Sequence, residues 1–163
     1  MELGLQTAHD STARLINRGH DFAEFVRGFE TARNAGLRIC VHIINGLPGE
    51  TPEMMEQTAE ILGGMRPDGV KIHLLHVIKN TTLAGLWESG KYQPMERDDY
   101  IGTVVRQLEY LPPETVIERL TGDGGRDSLL APLWSLDKRA VLGGVMKRQK
   151  QLDSIQGLRF QEG

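Results

Sequence analysis

LRICVHIINGLPGET, residues 37–51, decides how the chain folds. The stretch from Leu37 to Ile44 is dominated by apolar and β-branched side chains, which predicts a strand. It stops at Asn45-Gly46-Leu47-Pro48-Gly49, and Thr51-Pro52-Glu53 then opens a helix with proline in its first turn. A strand that passes through a tight turn directly into a helix is half of a crossover unit, the connection that parallel strands require. Outward from this point the pattern repeats. Upstream, Asp21 caps a helix in which Phe22, Phe25, Val26, Phe29 and Ala32 recur at helical spacing, and Gly36 ends it. Before it lie a strand at Glu2–Gln6 and a helix that starts near Asp10 and Ser11, carries Leu15 and Ile16, and breaks at Arg18-Gly19-His20. Downstream, the helix from Thr51 runs to Gly63-Gly64, a strand covers Val70 to Ile78, and helices cover Thr82 to Glu88 and Arg97 to Leu111. Pro112-Pro113 ends the last of these, a strand follows from Val116 to Leu120, and a basic helix runs from Lys138 to Leu152.

The composition bounds the function. The chain has 163 residues, 39% hydrophobic and 25% charged, which suits a packed core with a solvated surface. No apolar run approaches the roughly 20 residues that span a bilayer, so no membrane partner is expected. Met1-Glu2-Leu3-Gly4 lacks a basic segment followed by an apolar one, so a cytoplasmic protein is expected. The net charge of −3 argues against duplex DNA binding driven by bulk charge. Cys40 is the single cysteine, which excludes an internal disulfide and any metal site built on two or more thiolates. About four strands are too few for a closed eight-stranded barrel, which takes roughly 250 residues. A small doubly wound sheet and the latter part of a partial barrel both remain open at this point.

Side chains alternate across a strand, so residues of one parity share a face. One face carries Leu3 and Leu5, then Ile39, Val41 and Ile43, then Val70, Ile72 and Leu74, a surface for covering helices. The other carries Glu2, Gly4 and Gln6, then Cys40, His42 and Ile44, then Lys71, His73 and Leu75. A sheet covered on both faces shows nearly continuous apolar strands, so this polar face implies water, a ligand or a paired network. A salt link such as Glu2 with Lys71 is one reading, and the inner wall of a cavity that binds something polar is the favoured one. The carboxyl ends of the strands, where parallel α/β folds place their ligands, carry Gln6-Thr7-Ala8-His9, the Asn45-to-Glu50 turn and His76-Val77-Ile78-Lys79.

The ordered segments ELGLQT, NRGH, AGLRICVHIINGLPGET and RPDGVKIHLLHVIKNTTLAGLWESGKYQP, over roughly residues 1–110, resemble the radical S-adenosylmethionine (SAM) superfamily. They are most similar to the branch that holds the elongator catalytic subunit, the oxygen-independent coproporphyrinogen dehydrogenases and the YhcC-like proteins. The later segment VIERLTGDGGRDSLLAPLWSLDK resembles the YhcC-like members in particular. The resemblance implies an α/β fold, the second half of a partial (β/α)6 TIM-like barrel with parallel strands, followed by a small strand–helix extension. The expected division is residues 1–110 for the half-barrel and 111–163 for the extension. In the family a CxxxCxxC loop binds a [4Fe–4S] cluster, and SAM bound to it is cleaved reductively to a 5′-deoxyadenosyl radical that abstracts hydrogen from substrate. No such motif is present here, so the expectation is a truncated piece of such an iron–sulfur enzyme that is inactive alone, with no cofactor tightly bound.

Carried over by position, the resemblance assigns SAM contacts to Gln6 at the end of a strand, Arg18 near the SAM carboxylate and His42 near the ribose hydroxyls. It assigns the turn holding Asn45, Gly46 and Gly49, and the backbone of His76 and Val77, to the adenine. Glu2, Lys71 and His73 line the same cavity. Simpler readings stand beside these: Arg18 and His20 capping a helix end, His42 as a core histidine, Trp87 and Trp134 as core anchors. His73 and His76, three apart on one strand, are expected on opposite sides, which argues against a shared metal. Gly122-Asp123-Gly124-Gly125-Arg126 is read as a flexible turn in preference to a phosphate cradle, because no helix start follows at the required spacing. The rival function is a non-catalytic half-barrel that self-associates through an open sheet edge or binds a partner. RNA binding through Lys138, Arg139, Lys147, Arg148 and Lys150 is a weaker third option. The substrate class, tRNA or a small molecule, stays open.

Overall fold

The computed structural model describes residues 1–122, 124–125 and 127–161. Four parallel strands form its sheet: β1 (Glu2–Gln6), β2 (Cys40–Asn45), β3 (Gly69–Leu74) and, later in the chain, β5 (Val116–Arg119), in the order β1-β2-β3-β5. The crossovers are helical. Helices α1 (Asp10–Leu15) and α2 (Phe22–Asn34) join β1 to β2, α3 (Pro52–Met65) joins β2 to β3, and α4 (Thr82–Glu88) and α5 (Arg97–Tyr110) lie between β3 and β5. The last helix, α6 (Lys138–Leu152), packs on α5. Among the described residues no helix is long and apolar enough to cross a membrane.

The helices start where the sequence predicts, because side-chain oxygens satisfy their first free amides. Asp21 accepts from Glu24 N at 2.8 Å, and Asp137 accepts from Ala140 N at 3.0 Å. Behind the caps, Phe25, Phe29 and Ala32 of α2, Leu62 of α3 and Tyr100, Val104 and Leu108 of α5 join Leu5, Val41, Ile43, Val70 and Ile72 in one core. Each such large side chain, when fully buried, contributes roughly 1.5–3 kcal/mol before chain entropy is counted. Helices α3 and α5 touch at Gly63, where a β-carbon would stand 2.2 Å from the Tyr110 carbonyl oxygen, so only glycine fits. This core lies on the apolar parity of the strands. The opposite parity carries Glu2, His42, Lys71 and His73, all at least partly exposed, a one-sided cover that matches a barrel segment and not a doubly wound sheet.

Three expectations need correction. The strand predicted from Leu37 begins only at Cys40: Leu37 is exposed, and Asp68 Oδ2 accepts the Ile39 amide at 2.8 Å, a side chain taking the place of a ladder partner. The strand predicted over Val70 to Ile78 ends at Leu74. Val77–Ile78 is a separate strand, β4, paired antiparallel with β6 (Leu129–Ala131), which had no counterpart in the sequence reading. Because the backbone leaves the strand at Leu75, parity no longer separates His76 from His73, and the two approach the same glycine, Gly122.

Candidate functional site

The polar face of the sheet holds a charged network at its centre. Lys71, on β3, reaches the Glu2 carboxylate across β2 and stands 3.4 Å from Glu118 Oε2 on β5. His42 Nε2 lies 3.0 Å from the other Glu2 oxygen, an ion-pair distance that falls short of hydrogen-bond geometry. The hydrogen bond from Lys71 holds the Glu2 carboxyl below its usual range, and the same bond raises the Lys71 ammonium. The salt link read from the sequence therefore exists, on the same face as the histidines. Glu118 was missed, although its position in VIER, out of step with half-buried Ile117 and Arg119, was the available signal.

Toward the carboxyl ends the face becomes histidine-rich. The rings of His42 and His73 stack with centroids 5.3 Å apart and planes 22° apart. Burial pushes His73 down to about 4, with His42, Arg119, Lys71 and His76 adding to the effect. Burial also lowers His76. Gly122 follows β5 and closes over both rings: a β-carbon there would stand 3.0 Å from His76 Cε1 and 3.7 Å from His73 Nδ1. Asp123 and Arg126, from the glycine-rich stretch weighed as a phosphate cradle, lie outside the described residues.

The loops around this end are pinned from several directions. Gln6 ends β1 in the left-handed region at φ 64°, and its side chain folds over Gly4, where a β-carbon would meet Gln6 Nε2 at 2.6 Å. Arg18 donates to the Gly4 carbonyl, and its Nη2 lies 2.9 Å from His20 Nε2, so it fastens the α1–α2 loop to β1 instead of capping a helix end. Burial lowers its pKa. In the GLPGE turn, the Gly46 carbonyl (φ 82°) accepts from the Tyr92 hydroxyl at 2.8 Å, and Gly49 has the same φ. Glu50, pushed up by burial, accepts from the Thr7 hydroxyl and so ties this turn to the end of β1.

The sequence-derived site residues are thus placed unevenly. Gln6 ends β1, His42 stacks on His73 on the polar face, His76 meets the same glycine as His73, and Arg18 is tied to Gly4 of β1. Asn45 does not join them. Its side chain is 1% exposed on the helix side, donating to Gln107 Oε1 and accepting from Gln107 Nε2, both at 2.8 Å. Val77 is buried in the small antiparallel ladder opposite Ala131. Six buried side-chain atoms lack a hydrogen-bond partner among the described residues: Gln6 Oε1, His42 Nε2, His73 Nε2, His76 Nε2, Thr121 Oγ1 and Ser154 Oγ. Five of the six belong to the polar face or to the ends of its strands. An orphaned buried polar atom costs about 1–3 kcal/mol, so such a cluster calls for water, an ion or a polar ligand to satisfy it. Among the described residues no three histidine, cysteine or acidic side chains converge on a metal position.

Residues 1–62 match the model of the radical SAM superfamily and residues 67–151 that of the radical SAM C-terminal domain. The chain is 46% identical over 161 residues to the uncharacterized protein YtqA of Bacillus subtilis, covering 99% of this chain and 50% of that protein. To protein YhcC of Escherichia coli it is 45% identical over 134 residues, covering 82% and 43%. To elongator complex protein 3 of Homo sapiens it is 33% identical over 126 residues, covering 76% and 23%. The solved structure of Elp3 from the archaeon Methanocaldococcus infernus, with an N-terminal deletion, superposes at a TM-score of 0.85 with 22% identity, over 95% of this chain and 36% of that one. That likeness establishes the fold as part of a TIM-like barrel. The chain spans about half the length, or less, of the curated relatives it matches.

Proposed function

The chain belongs to the radical SAM superfamily, and from that premise we propose that its polar sheet face is one wall of a SAM site in an enzyme that cleaves SAM reductively. The observation that carries this reading is the cluster of orphaned polar atoms at the carboxyl ends of the strands, led by Gln6 Oε1 and His76 Nε2. We assign Gln6, Arg18, His42, Gly46, Gly49 and His76 to the cofactor side of the wall, and leave out Val77, which is sealed in the β4–β6 ladder. A planar guanidinium such as that of Arg18 suits a carboxylate, which it meets with two parallel donors. Gly46 and Gly49 hold the turn in a conformation open to close backbone approach, and Asn45 serves by anchoring that turn to α5 through Gln107. When bound to a cluster, SAM supplies a 5′-deoxyadenosyl radical for hydrogen abstraction, chemistry that belongs to the cofactor and not to any side chain.

The residues present fit SAM in part and do not fit a [4Fe–4S] cluster. Three thiolates are needed, and Cys40 stands alone in β2 with its thiol pushed up to about 11 by burial. The reading is therefore of a cofactor wall that is catalytically silent without cluster-bearing residues. Equilibrium dialysis of radiolabelled SAM against this chain tests it. Saturable binding that weakens roughly tenfold or more in Arg18→Met and Gln6→Leu is expected, as for loss of charged and buried polar contacts. Absence of saturable binding, or binding indifferent to both substitutions, overturns the assignment. A second reading, self-association of a half-barrel, draws on β1 and β5, the two strands at the edges of the sheet. Sedimentation that stays monomeric across a hundredfold range of concentration removes it.

A further inference from the structure

Backbone pairing between β1 and β2 loses its register where β1 ends. Glu2, Leu3 and Gly4 face Cys40, Val41 and His42 in step, and the pairing then slips at Gln6, whose backbone enters the left-handed region at φ 64°. A bulge of this kind re-aims the side chain it carries and disrupts the ladder around it. From Gln6 onward the ladder no longer fixes the end of β1 against the GLPGE turn that follows β2.

A side-chain contact takes over at that point. Thr7, 3% exposed, donates its hydroxyl hydrogen to Glu50 Oε1 and accepts from the His9 amide at 3.0 Å. Thr7 adjoins Gln6 and Glu50 adjoins Gly49, so the bond joins the neighbours of two positions assigned above to the cofactor. The turn itself is held from other elements. Met55 Sδ accepts from the Gly46 amide at 3.3 Å, and the Tyr92 hydroxyl donates to the Gly46 carbonyl. Ala8 and His9 continue the link to α3, through the Thr58 hydroxyl and the Met54 carbonyl. A ligand that touches two loops binds more tightly when their spacing is set before it arrives, because folding has already met the entropy of ordering them. We propose that Thr7 and Glu50 are positioning residues: their hydrogen bond sets the spacing between Gln6 and the turn that holds Gly46 and Gly49, so that both loops receive SAM as one pre-formed wall. The inference rests on the reading of these loops as cofactor contacts. It requires a hydroxyl donor at position 7 and an acceptor oxygen at position 50.

Two measurements on this chain test it: equilibrium dialysis of radiolabelled SAM, and amide hydrogen exchange without ligand. Thr7→Val and Glu50→Leu are each expected to weaken SAM binding roughly fivefold, and the double variant no further, since both remove the same bond. Thr7→Ser and Glu50→Gln keep donor and acceptor and should stay within about twofold of the parent chain. Thr7→Val, which preserves the side chain's shape, carries the test if Glu50→Leu loses its dispersed amide spectrum. Ile39→Val, just before β2 in the main core, lowers the urea midpoint without touching either loop and should leave SAM affinity unchanged. Parent-like affinity in Thr7→Val, additive losses in the double variant, or affinity that follows the urea midpoint through all of these variants overturns the proposal. Should the parent chain bind no SAM, the cofactor assignment falls and exchange decides this inference. Thr7→Val is expected to speed exchange at the Gly46 and Glu50 amides roughly tenfold while the Val41 and Ile43 amides keep their rates. Unchanged exchange at Gly46 and Glu50 overturns the inference on its own.

Discussion

The two faces of one sheet obey opposite rules. On the helix side the buried amides are partnered: Asn45 and Gln107 exchange two hydrogen bonds, and Gln107 also donates to the Met55 carbonyl at 3.0 Å. On the other side, a few ångströms away through the same backbone, His73 and Gln6 carry orphaned atoms. Chain alternation makes such a division possible, because neighbouring residues of a strand face different environments. The packed core is concentrated on one face, and most of the unpartnered polar atoms among the described residues lie on the other or at its strand ends.

Substitutions on the two faces should therefore differ in size and in sign. Leu62→Ala, at a fully buried position of α3, is expected to lose about 2–5 kcal/mol in urea denaturation, through lost transfer energy and the cavity left behind. A loss under about 1 kcal/mol at this site means the helix side is not a close-packed core. Next in size, Gln107→Leu strands the Asn45 amide and should lose about 1–3 kcal/mol, with the double variant Asn45→Leu/Gln107→Leu recovering part of it. Additive losses in that cycle argue that the two amides do not act as a pair.

The polar face is expected to respond to acid. His73 titrates near 4 when folded and near 6.5 when unfolded, so the unfolded chain binds more protons between those values. Stability is then full above about pH 6.5 and declines as the pH falls toward 4, and His76, also lowered, adds to the same decline. His73→Leu should flatten that slope, measured as urea midpoint against pH. An unchanged slope places the titrating group elsewhere. The smallest effect is the one of reversed sign: Thr121→Val removes an orphaned hydroxyl at constant shape. It should leave stability within about 0.5 kcal/mol or raise it, and a loss above 1 kcal/mol reveals a partner for that oxygen.

The division between faces was legible because it is written at period two. Val41, Ile43 and Ile72 against His42, Lys71 and His73 needs only the pleat to be read. The helix starts were legible for a similar reason, since Asp21, Thr51 and Asp137 act on amides three residues away. Long-range pairings leave no such local trace. The Asn45–Gln107 exchange joins residues 62 apart, so Asn45 was assigned to a ligand that its side chain faces away from. Likewise β6 is three residues long and exists because β4 offers it an edge, not because Leu129-Leu130-Ala131 has strong strand character of its own. The break at Leu75 then brought His76 beside His73, a proximity that strand periodicity argued against.

Helix α5 closes on a segment far from it in sequence. The Gly157 amide donates to the Leu108 carbonyl at 3.0 Å, the Arg159 amide to the Glu109 carbonyl at 2.8 Å, and Arg159 Nε to the buried Glu109 carboxylate at 2.6 Å. During synthesis the ribosome delivers Glu109 first and Arg159 fifty residues later. For that interval the nascent helix has an unsealed carbonyl end, and its Glu109 carboxylate has only the Arg106 guanidinium one turn back, at 3.4 Å in the folded chain. The order of translation thus sets a window in which the end of this helix lacks the partners that hold it in the folded chain.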